Sequence, residues 1–377
     1  MGFEWVAVAL VAGSLVYCVL VLVAQNSWLA SQRTQATGLR HTEAISVLKP
    51  LSGIDEDLEQ NLRTFFEQDY PEFEVLFTVR HADDPALALV ERLQREYPNL
   101  PSRLIVTGEP PYPYPNHKVY CLNLMMAAAK HSLLVMSDSD IRVKPDFLPR
   151  IAGEFQDPNL SVTTCPYRAV AGRHFWSKLE AIGMNTEFLA GVLVARLVEG
   201  MRFALGPTIV ARREAILAIG GWDRVKDYLA EDFVLGNVAA EKGLGVGLSS
   251  TIVEHRIGSQ PLAANFRHRL RWYRSTRRSR PAGYVGQLFT YTLPLALILW
   301  LAAPHWWPLC VAALACRAAA AWTTAARVLG GRVNWLLLPL QDSLSFAFWI
   351  AGFFGNTITW RGHHYYLHRD GRFERIS

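Results

Sequence analysis

The stretch LLVMSDSDIRV, residues 133–143, joins a short apolar run to two carboxylates that are one residue apart. The run predicts a buried strand that ends at Asp138. In an open α/β sheet, ligands bind beyond the carboxyl ends of the strands, so Asp138 and Asp140 are expected at a binding edge. Carboxylate oxygens there can hold Mg²⁺ or Mn²⁺, which in turn can bind a diphosphate. The alternative is a solvated turn, because Asp-Ser-Asp is also ordinary turn chemistry.

Strand and helix patterns alternate on both sides of this stretch. The predicted strands are residues 44–48, 74–79, 103–106, 161–166 and 203–211, and the predicted helices are residues 58–66, 85–97, 118–130 and 212–219. Alternation of this kind predicts an α/β domain with a mixed, mainly parallel sheet.

The apolar residues are concentrated outside this domain, as is typical of a membrane protein. Hydrophobic residues make up 51% of the 377-residue chain, and the mean hydropathy is +0.11. Residues 3–24 form a nearly uncharged run long enough to span a bilayer, and the absence of a basic segment before it favours an anchor over a signal peptide. Arg33 and Arg40 follow the run, which predicts that the next domain is cytoplasmic.

Three further apolar segments are predicted near the carboxy-terminal end, at residues 284–303, 306–326 and 336–354. A fourth segment, 188–198, is interrupted by Arg196 and is too short to span, so it is predicted to be a core or interfacial helix. Three late crossings conflict with the positive-inside tendency of the tail. The tail arginines are Arg361, Arg369, Arg372 and Arg375.

The charge and cysteine patterns exclude other classes of protein. The net charge of +5 comes largely from residues beside the apolar segments, which favours anionic lipid or a nucleotide diphosphate over nucleic acid as the partner. The five cysteines have neither metal-site nor redox spacing, which indicates a reducing compartment.

Four polar motifs lie in order along the chain: Asp83-Asp84-Pro85, Asp138-Ser139-Asp140, Ala230-Glu231-Asp232 and His268-Arg269-Leu270-Arg271-Trp272. Each has a simpler interpretation. The first two are compatible with surface turns, and the third with an acidic pair favoured by a helix dipole. The fourth is compatible with an amphipathic interfacial helix.

Together the four motifs resemble those of membrane-bound family-2-type glycosyltransferases with a GT-A fold. The segments 48–53 (LKPLSG), 64–71 (TFFEQDYP), 97–99 (YPN) and 359–361 (TWR) resemble, in sequence and in order, the ceramide glucosyltransferase family, family 21. The basic run 267–280 is more similar to the bacterial hopanoid-type glycosyltransferases. The resemblance implies a Rossmann-like GT-A domain between membrane helices.

The resemblance also implies site roles. Asp138 and Asp140 would hold the metal, with Asp138 also near the donor, and Asp232 would be the general base. Donor-binding roles fall to Asp83, Asp84, Lys118, Arg271 and Trp272, of which Lys118 has a solvated loop lysine as its alternative. His268 departs from the family, which has Gln or Arg at this position. An imidazole can still donate a hydrogen bond there.

These expectations combine into one functional hypothesis. The chain is expected to be an inverting transferase that moves glucose or N-acetylglucosamine from a UDP-sugar to a lipid hydroxyl, on a ceramide-like or hopanoid acceptor. The alternatives are a processive polysaccharide synthase and a catalytically silent nucleotide-sugar- or lipid-binding membrane protein. Localisation is expected at a bacterial cytoplasmic membrane, with several crossings. The expected domains are an anchor (1–32), the GT-A domain (41–265), a basic interfacial segment (266–282), spanning or re-entrant helices (283–360) and a basic tail (361–377).

Overall fold

The structure is a computed structural model that describes residues 2–35, 43–110, 114–360 and 362–376. Arg40, Arg361 and the start of the predicted domain at residue 41 lie outside the described residues. The α-helices are α1 Gly2–Gln35, α2 Leu58–Phe66, α3 Pro85–Glu96, α4 His117–Ala128, α5 Phe147–Glu154, α6 Phe175–Gly183, α7 Leu189–Glu199, α8 Arg213–Ala218, α9 Glu231–Glu241, α10 Leu262–Ser279, α11 Pro281–Gly286, α12 Thr292–Ala302, α13 Trp307–Trp322 and α14 Leu338–Gly352.

The strands occur mainly where the apolar runs were predicted. They are β1 Ile45–Pro50, β2 Phe73–Val79, β3 Ser102–Val106, β4 Leu133–Ser137, β5 Ile141–Arg142, β6 Leu160–Thr164, β7 Tyr167–Val170, β8 Thr208–Arg212, β9 Gly245–Leu248, β10 Val253–Arg256, β11 Thr357–Trp360, β12 His363–Leu367 and β13 Phe373–Arg375.

The main sheet has the strand order β3-β2-β1-β4-β8-β6-β9. The neighbours β3, β2, β1 and β4 run parallel, whereas β8 is antiparallel to both β4 and β6. β6 and β9 are parallel again. The sheet is therefore mixed and mainly parallel, as the alternation of strands and helices predicted.

Burial explains why the central strands are continuous apolar runs. Every residue of β2 and β4 is buried, as expected for strands covered on both faces by crossover helices. α2 and α3 instead bury one stripe each, which includes Leu62 and Phe65 on α2 and Val90 and Leu93 on α3. This amphipathic spacing stabilises the helices by burial against the sheet.

The chain divides into two compact units, each built from several segments. The α/β unit comprises residues 35–167, 201–258 and 371–377, and the helical unit comprises residues 1–34, 168–200 and 259–370. This division differs from the predicted contiguous domain 41–265, because residues 168–200 belong to the helical unit. It also places β13 of the predicted tail in the α/β unit.

Three helical passages of the helical unit are long and apolar enough to cross a membrane: Gly2–Gln32, Phe175–Glu199 and Pro304–Val328. A bent pair, Pro281–Thr290 and Thr292–Ala302, adds a fourth if the two halves form one span, and its halves meet at 59°. The predicted span 306–326 is therefore present as one helical passage, whereas the predicted span 284–303 falls on the bent pair.

Two other predictions for the helical unit were wrong in length. The segment 188–198 is not a short separate helix, because α6 and α7 are joined by a π-helical turn, Met184–Phe188, into one passage. The polar residues of that turn interrupt the apolar pattern and conceal its continuity in the sequence. The segment 336–354 contains only the 15-residue α14, which is shorter than a spanning helix requires.

The predicted strand 203–211 begins five residues late, at Thr208. Pro207 has no N–H to donate to a ladder, and the Leu205 N–H donates to the Thr164 side chain instead. The segment before β8 is consequently a loop. Its Pro207 carbonyl accepts a hydrogen bond from the Asp138 N–H at 3.0 Å, which places Gly206 and Pro207 beside the end of β4.

Candidate active site

The carboxyl ends of β1, β2 and β4 lie at one edge of the sheet, because the three strands are parallel and in register. Lys49, near the end of β1, is fully buried. Its Nζ donates to the Asp138 carbonyl and lies 3.3 Å from Ser137 Oγ. Burial lowers the pKa of Lys49 to about 7. Lys49 thus fixes the backbone at the point where the carboxylate pair begins.

Lys118, at the start of α4, links Asp138 to the third motif. Its Nζ lies 2.6 Å from Asp138 Oδ1 and 3.2 Å from Glu231 Oε1. Burial opposes the charge of Lys118, but the two carboxylates raise the pKa of its ammonium group above the ordinary value. The lysine is therefore ionised and holds the end of β4 against the start of α9, rather than lying in a solvated loop.

Glu231 is held by two partners. Besides Lys118, the Asn116 Nδ2 group donates to Glu231 Oε2 at 3.0 Å, and the Glu231 side chain is buried. Asn116 also caps α4 by accepting from the Val119 N–H. Because both carboxylate oxygens of Glu231 are engaged, this residue is suited to positioning Lys118 rather than to accepting a proton.

Asp140 is positioned by a histidine from β10. β10 pairs with β5, with His255 opposite Ile141, and this register brings His255 Nε2 within 3.1 Å of Asp140 Oδ2. Burial opposes ionisation, but His255 lowers the pKa of Asp140 below its ordinary value. The other oxygen, Oδ1, is buried and has no hydrogen-bond partner among the described residues.

Asp232, the predicted base, lies in the first turn of α9. Burial and the neighbouring Glu231 raise the pKa of Asp232 to about 7, against the opposing effect of hydrogen bonds from the backbone of Phe233 and Gly206. A carboxylate with a pKa near neutrality is well matched to general-base catalysis. The basicity of Asp232 suits the predicted role of general base, and that role stays a prediction.

Gly206 leaves no room for a side chain next to Asp232. A Cβ on Gly206 would lie 2.9 Å from Asp232 Oδ2, closer than real side chains approach. We expect Gly206→Ala to displace the Asp232 carboxylate and to lower turnover by about 10²-fold, because small misplacements of reacting groups are costly. Steady-state kinetics with a UDP binding measurement test this expectation.

The matched control for that variant is Gly286→Ala, because a Cβ on Gly286 meets no atom within 4 Å. This control should keep near-parental turnover. Equal turnover of Gly206→Ala and the parent would show that Asp232 tolerates displacement, which is incompatible with a tightly positioned base.

The two aspartates of the first motif, Asp83 and Asp84, lie in different surroundings. Asp84 caps α3 by accepting from the Ala86 N–H at 2.9 Å, and it accepts from the Gly53 N–H at 3.0 Å. Its oxygens thus tie the loop after β1 to the loop after β2. Asp83 is exposed at the same edge of the sheet, so Asp83 is the better placed of the two to meet a nucleoside.

The fourth motif lies in the helical unit, on α10. His268 and Trp272 are one helical turn apart, and their rings make an edge-to-face contact at 5.3 Å. Trp272 also packs against Phe188. Arg271 lies on the same helix, and its predicted role toward the diphosphate stays a prediction.

Sequence reasoning missed Lys49, Asn116 and His255. Lys49 was part of a quoted motif, and a lysine inside a buried strand pattern was a usable signal because such residues need a partner. Asn116 precedes a helix, where it reads as a cap. His255 carries no local signal, since only the pairing of β5 with β10 brings it to Asp140.

The two carboxylates at the end of β4 fit a divalent metal if the diphosphate of a bound donor supplies further oxygen ligands. Among the described residues, no group of three or more His, Cys, Asp or Glu side chains is arranged to hold an ion. The Oδ1 atom of Asp140 is nevertheless buried and has no hydrogen-bond partner among the described residues, so it is available to a ligand. Asp138 and Asp140 would contribute protein ligands, with His255 orienting Asp140, and diphosphate oxygens would complete the coordination.

The fold is that of GT-A type glycosyltransferases. The mannosyltransferase PcManGT from Pyrobaculum calidifontis, solved with GDP-Man and Mn²⁺, matches with a TM-score of 0.51 at 19% sequence identity, and the match covers 91% of this chain and 97% of that chain.

The sequence matches the family model for Glycosyl transferase family 21 over residues 6–373, and the chain belongs to this family. The resemblance seen in the motifs is thereby confirmed. Ceramide glucosyltransferase 1 of Caenorhabditis elegans is 29% identical over 230 residues, which are 60% of this chain and 48% of that protein. Ceramide glucosyltransferase of Komagataella phaffii is 31% identical over 141 residues, 36% of this chain and 28% of that protein. The chain thus spans at most about half the length of these relatives.

Proposed function

We propose that this protein is a membrane-bound inverting glycosyltransferase that transfers glucose or N-acetylglucosamine from a UDP-sugar to a lipid hydroxyl. The observation that carries the proposal is the single cluster formed at the sheet edge by Asp138, Lys118 and the Glu231-Asp232 pair. In this cluster Lys118 bridges Asp138 and Glu231, and the adjacent Asp232 has a pKa of about 7.

The chemistry follows from these groups. Asp232 removes the proton of the acceptor hydroxyl as its oxygen forms a bond to the anomeric carbon. The bond from that carbon to the diphosphate breaks in the same displacement, so the configuration inverts and UDP leaves. A divalent ion held by Asp138 and Asp140 would neutralise charge on the leaving diphosphate. Lys118 fixes the Asp138 carboxylate during this step.

The donor and leaving-group contacts of the remaining motif residues are part of the same proposal. Asp83, with Asp84 supporting its loop, would meet the nucleoside. His268 and Arg271 would stabilise the diphosphate by hydrogen bonding and charge, and Trp272 would form the floor of the sugar or acceptor pocket. His268 departs from the Gln or Arg of the family at this position, and its imidazole would have to supply the hydrogen bond instead.

A lipid acceptor and a membrane location are supported by the apolar helices of the helical unit and by the ceramide glucosyltransferase relatives. We propose a ceramide-like or hopanoid acceptor, a cytoplasmic-membrane location and a cytoplasmic α/β unit. Resistance to extraction at alkaline pH, which releases surface-bound proteins but not spanning ones, tests the membrane placement.

The activity is tested by incubating the purified protein in lipid nanodiscs with radiolabelled UDP-glucose or UDP-N-acetylglucosamine and a ceramide or a hopanoid polyol. We expect one labelled glycolipid in the solvent extract. Label in an insoluble polymer would favour the processive synthase, and UDP binding with neither transfer nor donor hydrolysis would favour the silent binding protein. Either result would contradict the proposal.

A further inference from the structure

The terminal segment of the chain, residues 371–376, lies against the loop that precedes the predicted base. This segment belongs to the α/β unit and includes β13. The Phe373 N–H donates to the Asp227 carbonyl at 2.9 Å, and Arg372 forms an isolated antiparallel bridge with Tyr228. Both loop residues come shortly before α9, so the terminal segment contacts the approach to the helix that carries the base.

The same loop is also held by Asn116. The Asn116 N–H donates to the Lys226 carbonyl at 3.2 Å, and its Nδ2 group donates to the Tyr228 carbonyl at 3.0 Å. The carbonyls on both sides of Asp227 thus meet Asn116, whereas the Asp227 carbonyl itself meets Phe373. The loop is therefore anchored by two separate parts of the chain.

Burial of one aromatic ring fixes the terminal segment in this place. The side chain of Phe373 is only 2% exposed, whereas that of Ile376 is 54% exposed. The ends of a chain are poorly ordered unless they are tied down, and a buried aromatic ring supplies a large apolar contact. Phe373 is therefore the residue that attaches the terminal segment to the α/β unit.

The loop determines where α9 begins. α9 starts at Glu231, and no side chain caps its N-terminus. Asp232 lies in the first turn, so its position depends on the backbone that enters the helix. The contact between Lys118 and Asp138, by contrast, lies outside the loop. A shift of the loop should therefore move the Asp232 carboxylate and leave the end of β4 in place.

We propose that Phe373 is a positioning residue for Asp232, which it holds in place through the loop of residues 225–230. The inference rests on the proposed function, in which Asp232 is the general base. It gives the end of the chain a part in turnover, although the terminal segment is remote from the base in sequence.

The test is a double-mutant cycle between Phe373→Ala and Asp232→Asn. In the parent background we expect Phe373→Ala to lower kcat at least about tenfold, because small misplacements of a reacting group are costly. The affinity for UDP should change less than about twofold, because the base acts only in the transition state. In the Asp232→Asn background the same change should lower kcat less than about twofold, because the group that Phe373 positions is no longer a base.

The matched control is Ile376→Ala, which removes an exposed apolar side chain from the same segment. This variant should change kcat less than about twofold in both backgrounds. Equal losses from Phe373→Ala in the two backgrounds would show that Phe373 acts on packing alone, and that result would overturn the proposal. An unchanged kcat in the parent background would overturn it as well. If Phe373→Ala does not fold, Phe373→Leu takes its place in the cycle, because leucine keeps an apolar side chain at the buried position.

Hydrogen–deuterium exchange gives a second readout that does not depend on transfer. Phe373→Ala should speed amide exchange in residues 226–235 and leave exchange in β4 near that of the parent, because only the loop loses its anchor. Unchanged exchange in residues 226–235 would refute the positioning role.

The two readouts also separate this inference from the proposed function. A parent protein that transfers no sugar would contradict the proposed function, whereas exchange would still decide whether Phe373 holds the loop. Conversely, a parent that makes glycolipid with no coupling between residues 373 and 232 would leave the proposed function intact and refute the positioning role.

Discussion

Asp232→Asn is expected to lower turnover by about 10²–10⁴-fold, the usual cost of removing a general base. The substitution keeps the shape of the side chain and removes its basicity. Because proton removal occurs only in the transition state, the affinity for UDP should stay near that of the parent. Arg271→Ala, by contrast, should weaken UDP binding as well as turnover.

The neighbouring carboxylate provides the matched comparison. Glu231 is engaged by Lys118 and Asn116, so Glu231→Gln should disturb the position of Lys118 and reduce turnover less than Asp232→Asn does. Near-parental transfer by Asp232→Asn, together with a large loss in Glu231→Gln, would assign the base to Glu231 instead.

The pH dependence of turnover follows from the same group. Burial raises the pKa of Asp232 to about 7, and the base works only when it is deprotonated. Turnover should therefore rise with pH through about 7 and level off above it. Asp232→Asn should remove this rise from its residual activity. A parental profile that is flat between pH 5 and pH 8 would contradict the assignment.

Removal of the metal is expected to have an effect of similar size. EDTA should abolish transfer and added Mn²⁺ or Mg²⁺ should restore it, because charge on the leaving diphosphate then lacks its counterion. Asp140→Ala should lower turnover by at least about 10²-fold and should remove the dependence of UDP affinity on Mn²⁺. The second readout does not depend on transfer activity.

Ser139→Ala is the matched control for the metal, because Ser139 lies between the two carboxylates and its Oγ contacts Asp55 at the surface. This variant should keep both turnover and the Mn²⁺ dependence of UDP binding. If transfer persists in EDTA and Asp140→Ala is tolerated, the cationic side chains must stabilise the leaving group without a metal.

Much of the α/β unit was predictable because its signals are local. The apolar run of β4 and the alternation of strands and helices around it predicted a mainly parallel sheet, and the structure confirms it. In such a sheet the strand ends converge, so Asp83 and Asp138 were expected at one edge from their positions alone. The family was also evident from motifs that are contiguous in sequence.

The membrane helices were less predictable because composition does not report continuity. The π-helical turn at Met184–Phe188 carries polar residues through an unbroken helix, whereas the apolar run that includes α12 is bent at its start. Hydropathy is averaged over a window of residues, so it detects neither the continuity of a helix through polar residues nor a bend within an apolar run.

The sequence by itself determined the fold class, the family and the identities of the charged groups, because each depends on residues close together in the chain. Only the tertiary structure decided which of these groups act on one another. Lys118 links Asp138 to Glu231 across more than a hundred residues, and His255 reaches Asp140 through the pairing of β10 with β5. The pKa of Asp232 depends on burial, which no local pattern encodes. Such pairings arise from sheet topology and packing, so they exist only once the chain has folded.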